Sequence, residues 1–210
     1  MIGSVMRVAL WVATTLAAGC GDCSLPSARA CSLDKDLSGT AEMLAEFDQA
    51  IERVERHVTA PDYVPDELWT SGEFLRIYHA PSEYIAPAYQ LLTRESPRNG
   101  ADKRIAAWAM QRLGMCDYLA LLSQVADRVD DGSVDGRVLE ELAFAPLEFG
   151  KQVLIVKYND PDVRAMLRRM AGMGALSESR RTYIREKVLT GAAREDYVEY
   201  LKQLDRVVEE

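Results

Sequence analysis

The side chains with the most chemistry in this chain are four cysteines, two histidines and a scatter of carboxylates. Cys23 and Cys31 bracket the stretch CSLPSARAC, which is rich in Ser, Pro and Ala. In an oxidising compartment such a pair can close a small disulfide loop, and otherwise it remains two free thiols. Cys116 follows RLGM in an apolar helical pattern and reads as a small buried hydrophobe. Cys20, Cys23 and Cys31 lack a fourth ligand at the spacing of a structural zinc site, so no metal is expected. His57 and His79 each fall at a helix end, where a cation is favourable in any case, and neither has an i, i+4 ligand partner. Glu73 and Glu83 lie among Trp69, Tyr78, Tyr84 and Tyr89, the residue types of an acid–base pair beside a sugar-stacking surface. With 33 acidic residues such proximity is expected by chance, and core or joint packing is the simpler reading of the aromatics. No nucleophile elbow, phosphate loop or zinc-protease motif is present, and no cofactor and no enzymatic activity are expected.

These residues must be held by elements, and the first of them is not a folding element. Val8 to Ala18 are all apolar or threonine, after a single basic residue, Arg7. The run is shorter than the ~20 residues that span a bilayer and has the length of a signal-peptide core, about 7–15 residues. It ends in LAAGC, Leu16 to Cys20, which resembles a bacterial lipobox. The resemblance implies that Cys20 carries a diacylglyceryl group after cleavage of residues 1–19 and that the mature chain is a membrane-anchored lipoprotein facing the periplasm. Gly21 in the second mature position implies the outer membrane if the host is Gram-negative. Leu16 stands one position earlier than in the commonest form of the motif. Removal of the leader takes only Arg7 among the charged residues, so the mature chain is one unit more acidic than the −8 of the whole. That balance repels nucleic acid and favours a basic protein as partner, although it also serves plain solubility.

Residues 20–36 carry Gly, Ser, Pro and Asp without an apolar period and read as a flexible tether. From there to residue 210 the pattern predicts a single all-helical domain. Leu44, Phe47, Ile51, Val54 and Val58 form one stripe of a helix over about 41–57, with Thr40 as N-cap. Prolines interrupt it at APDYVPDELW, and Pro87 predicts a kink or late start in the helix that holds it. Seven further segments of helical period follow, among them KQVLIVKY, which reads as a buried helix because a lone strand would lack a partner. The arginines from Arg168 to Arg181 read as solvated helix faces paired with nearby glutamates.

Three triplets share the form Asp-x-Arg at a helix start: Asp102 with Arg104, Asp135 with Arg137, and Asp162 with Arg164. The stretch NDPDVRAMLRRMAGMG resembles a HEAT-type repeat, a likeness extending over about residues 97–190. It implies that these six residues tie neighbouring repeats together and that the fold is a short α-solenoid; an irregular helical bundle is the alternative. Spacings of 33 and 27 residues and Gly136 at an apolar position depart from the family pattern.

The profile of leader, acidity and helical body is similar to that of envelope immunity proteins, which neutralise toxins from rival bacteria. The function expected is therefore a lipid-anchored protein-binding module. A structural accessory lipoprotein of an envelope assembly, or a cell-wall glycan hydrolase using Glu73 or Glu83, are the alternatives.

Overall fold

A computed structural model describes residues 30–58, 71–95, 100–145 and 152–208. The leader 1–19, Cys20, Cys23, Trp69 and the proline segment around it lie outside the described residues. Within them the secondary structure is helical throughout: α1 (Ala41–Val58), α2 (Gly72–His79), α3 (Ile85–Thr93), α4 (Ala101–Ala109), α5 (Met115–Asp130), α6 (Gly136–Ala143), α7 (Val153–Val156), α8 (Pro161–Gly172), α9 (Glu178–Tyr183) and α10 (Ala192–Val208). Short 3₁₀ turns at Pro81–Glu83 and Met110–Arg112 and a π-helical turn at Ile184–Val188 complete the path.

Local chemistry sets many of the helix starts. Free amides in a first turn need acceptors, and short polar side chains supply them. The Thr40 hydroxyl accepts from Met43 and the Ser71 hydroxyl from Phe74. Asp135 accepts from Arg137, and the Ser177 hydroxyl accepts from Arg180. Asp160 takes the amides of Asp162 and Val163, with Pro161 in the first helical position where its missing N–H costs nothing. Pro87 sits in the first turn of α3, which begins late, at Ile85, after the 3₁₀ turn.

The helices pack in pairs, α1 with α2, α3 with α4, α5 with α6 and α8 with α9. Successive pairs stack: α1, α3, α5 and α8 adjoin in one layer, and α2, α4 and α6 in a second. This two-layer arrangement, in which each pair buries its apolar faces against its neighbours, is common to a helical bundle and a short α-solenoid. Phe47, Ile51 and Val54 of the α1 stripe are all buried, and the core continues through Leu92, Ile105, Leu119, Leu122, Leu139 and Leu167 to Ile184. A polar clamp fixes α6 to its neighbours. The buried Tyr118 hydroxyl donates to Leu142 O (2.7 Å), and Gln111 donates to the same carbonyl (2.8 Å) and to Ala107 O. Burial pushes the Tyr118 phenol far above its ordinary range.

Two glycines are required by close approach. A Cβ on Gly136 would stand 2.1 Å from Ala175 O, so α6 can meet the turn after α8 only without a side chain there. Gly191 has φ +90° and lies against the Tyr158 ring, at the turn into α10. The segment KQVLIVKY gives a single turn, α7, with Val153, Leu154 and Ile155 buried and Val156 half-exposed. Gln152 enters it in the left-handed region (φ 44°), held there by its buried side chain donating to Ala145 O and by its own carbonyl accepting from Ile155 and Val156.

Candidate functional site

The feature that departs most from the sequence reading lies at the N-terminal end of the described chain. Residues 30–40 form no helix, yet they are fastened across the α1–α3–α5–α8 layer. Cys31 is disulfide-bonded to Cys116, 85 residues away. Of the two readings left open for Cys31, a bond to Cys23 or a free thiol, neither holds, and Cys116 is an exposed half of a bridge rather than a buried thiol. Local spacing favoured the nearer pair, but stacking carries the start of α5 to the place where the segment passes, so proximity in space overrides proximity in sequence.

Polar contacts continue the fastening. The Cys31 amide donates to Asp162 Oδ2 at the start of α8 (2.7 Å). Lys35 Nζ pairs with Asp117 Oδ1 (2.8 Å). Gln124 Nε2 donates to Lys35 O (2.7 Å) and, at 3.4 Å, to Leu33 O. Asp36 accepts from the Ser38 amide and hydroxyl, which holds its carboxyl below the usual aspartate range. Leu37 is then buried, and Gly39 passes against Ala86 of α3 before α1 begins. The segment expected as free tether up to residue 36 is thus a strap from residue 30 onward. An irregular segment cannot pair its own backbone groups, so side chains of α5 and α8 supply the partners.

Beside the strap runs a shallow groove of about 190 Å³, lined by Leu33, Leu119, Ser123, Ala165, Met166 and Arg169, with Asp162 at its end. That is below the ~300 Å³ at which small-molecule sites begin. Arg169 closes one side by donating to Asp127 and Asp130, both at 2.7 Å. Partial burial opposes its charge, but the two carboxylates outweigh that and hold the guanidinium still more firmly protonated.

The carboxylates of the hydrolase alternative are placed differently. Glu73 sits in the first turn of α2; its own backbone amide and Arg53 (3.2 Å) hold its carboxyl below the usual range. A general acid for glycoside cleavage needs the opposite shift. Glu83 is exposed in the 3₁₀ turn. The aromatics serve packing: Tyr78 stacks on Phe74 (5.5 Å) and lies under the Arg112 guanidinium (5.2 Å), Tyr84 meets Phe47 (5.9 Å), and Tyr89 packs on the core. His79 turns toward the Tyr78 ring at 5.9 Å. Among the described residues no group of three His, Cys, Asp or Glu side chains is placed to hold a metal ion.

The six repeat-stacking candidates separate. Asp102 and Asp135 begin α4 and α6, which are equivalent helices of the second layer, whereas Asp162 begins α8 of the first. The repeating unit is the helix pair, and the third triplet is out of phase with it. Asp102 is buried and accepts from Lys103 N, Asp135 caps its own helix at Arg137, and Arg104 reaches Glu141 of α6 at 3.6 Å. On α8 the acid and the base serve different neighbours, Asp162 the strap and Arg164 the carbonyl of Leu189 (3.4 Å).

Within the arginine run Arg169 is paired with Asp127 and Asp130 and Arg181 with Glu178, and Arg185 just beyond it shares Glu178. One member does more: Arg180 lies over Phe144 (4.8 Å) and Tyr183 (5.7 Å), joining the end of α6 to α9. Comparison of the chain with family models, with curated proteins and with solved structures finds no match in any of the three.

Proposed function

We propose that the chain is an envelope lipoprotein, held to a membrane through acylated Cys20, whose helical body binds another protein in the manner of an immunity protein. The observation that carries this reading is the Cys31–Cys116 bridge. Disulfides persist in oxidising compartments and are rare where thiols are kept reduced, and this one follows eleven residues after the cysteine of LAAGC. A leader that exports the chain and a bridge that requires export support each other. Among the described residues no helix is long and apolar enough to cross a membrane.

The strap supports a division of labour on the helix stack. It attaches the tether to the layer of α1, α3, α5 and α8. The partner is placed on the exposed faces of the helix stack that the strap leaves uncovered, since stacked helices offer an extended surface that suits a protein partner. The acidity of the chain favours a partner of basic charge.

Two measurements on host-expressed, detergent-solubilised full chain test the reading. Mass spectrometry of the N-terminal peptide is expected to find acylated Cys20 with residues 1–19 removed. Affinity capture is expected to retain a basic protein, and retention is expected to fall steeply with salt. An intact Met1 with an unmodified Cys20 sulfur overturns the anchor; capture of no protein from the host and its close rivals overturns the binding role.

A further inference from the structure

Helix α10 has two sides of different character. Toward the body it buries Ala193 and sets Tyr197 on the core. Away from the body Val198 and Leu201 are each 38% exposed, three residues apart and so side by side on the helix surface. No other helix among the described residues carries two exposed large apolar side chains. A shallow open furrow runs along this side, lined by Val198 together with Arg194, Glu195, Asp196, Glu199 and Lys202.

The charges are ordered along the same stripe. Glu195 and Lys202 are seven residues apart, about two turns, so they flank Val198 and Leu201 on one edge with opposite signs. Among the described residues Glu195 pairs with no base, and Lys202 makes one long contact, with Glu199 of its own helix (3.8 Å).

We propose that this side of α10 pairs with the same side of a second copy of the chain, the two helices running antiparallel about a two-fold axis. An axis that crosses α10 near residues 198 and 199 sets Val198 against Leu201 of the second copy. It also sets Glu195 against Lys202 of the second copy. Each contact then occurs twice, and the association closes at two chains. A parallel pair brings Glu195 level with Glu195 and Lys202 level with Lys202, and forms neither ion pair. The mixed signs disfavour other occupants. An anionic membrane meets the carboxylates of Glu195, Asp196 and Glu199, and a uniformly basic partner meets Arg194 and Lys202. One helix side buries far less than the ~1,200 Å² at which stable interfaces begin, so the pair is a weak one between bodies that fold by themselves. The pairing stands apart from the lipid anchor and from the basic partner.

Sedimentation equilibrium of the detergent-solubilised full chain tests the pairing. The wild type is expected to show a reversible monomer–dimer equilibrium at concentrations up to about 1 mM. Glu195→Lys sets two ammonium groups together at both ends of the contact, and Lys202→Glu sets two carboxylates together there. Each is expected to weaken the dimer at least about fivefold. Mixing the two variants in equal amounts restores both ion pairs in the mixed dimer, which is expected to associate within about twofold of the wild type. Both positions are exposed helix surface, so circular dichroism is expected to find the variants folded. A wild type that stays monomeric overturns the proposal, as does a dimer that both variants leave unchanged. A mixture no tighter than either variant alone overturns the antiparallel register.

Discussion

The strap and α10 flank the same helical stack, one before its first helix and one after its last turn, and they are held by opposite means. The strap satisfies few of its own backbone groups. It is fixed by a covalent bridge, an ion pair and side chains that reach across from α5 and α8. Helix α10 pairs its backbone internally and needs little from the body. It buries Ala193, rests Tyr197 on the core, contacts α7 and the π-helical turn, and leaves Val198 and Leu201 more than a third exposed. A segment without secondary structure stays in place only through specific links, each of which is a point of control. A helix can project with weak links because its hydrogen bonds do not depend on them.

Removing the links in turn sharpens this contrast. Cys116→Ser should cost the most, about 2–4 kcal/mol in denaturant unfolding without reductant, since the bridge closes a long loop in the unfolded chain. A loss below about 1 kcal/mol would mean that the strap is already ordered without it. Gly191→Ala, at the entry to α10, forces a Cβ into the left-handed region and against Tyr158, and should cost about 1–3 kcal/mol. Hydrogen exchange should then speed in α10 and not at the Cys31 amide. Gln124→Ala removes the donor to the strap carbonyls and should cost about 1 kcal/mol, with the Cys31 amide exchanging faster and α10 unchanged. Leu201→Ser should change stability by no more than about 0.5 kcal/mol, and a larger loss would show that α10 is more firmly seated than its exposure implies. Acidification adds a sign test. Asp36 has a depressed folded value, so its contribution is present above the unfolded aspartate range and is lost as pH falls through the folded value. Glu73 on α2 and Glu178 on α9 are depressed as well and lose their contributions in the same direction, so Asp36→Asn is expected to remove the strap's share of the acid response and leave theirs.

Much of the body was legible because helical period and capping chemistry are local. The α1 stripe, the Thr40 cap, the late start at Pro87 and the Arg181–Glu178 pair follow from residues within a few positions of one another, whereas Arg169 reaches Asp127 and Asp130 from 42 and 39 residues away. The Asp-x-Arg triplets were visible as a pattern, but their phase was not, because nothing local distinguishes the first helix of a pair from the second. Tyr118 and Gln111 on the carbonyl of Leu142, and Arg180 over Phe144, were missed for the same reason.

Composition and period by themselves determined that the body is helical and acidic. The partner of Cys31 was decided only by the tertiary structure. A cysteine chooses by distance in space, and only stacking of the helix pairs brings the start of α5 under the strap. The same stacking turned the last residues of an apparent tether into part of the body, because the acceptors and donors they needed lie more than eighty residues further along the chain.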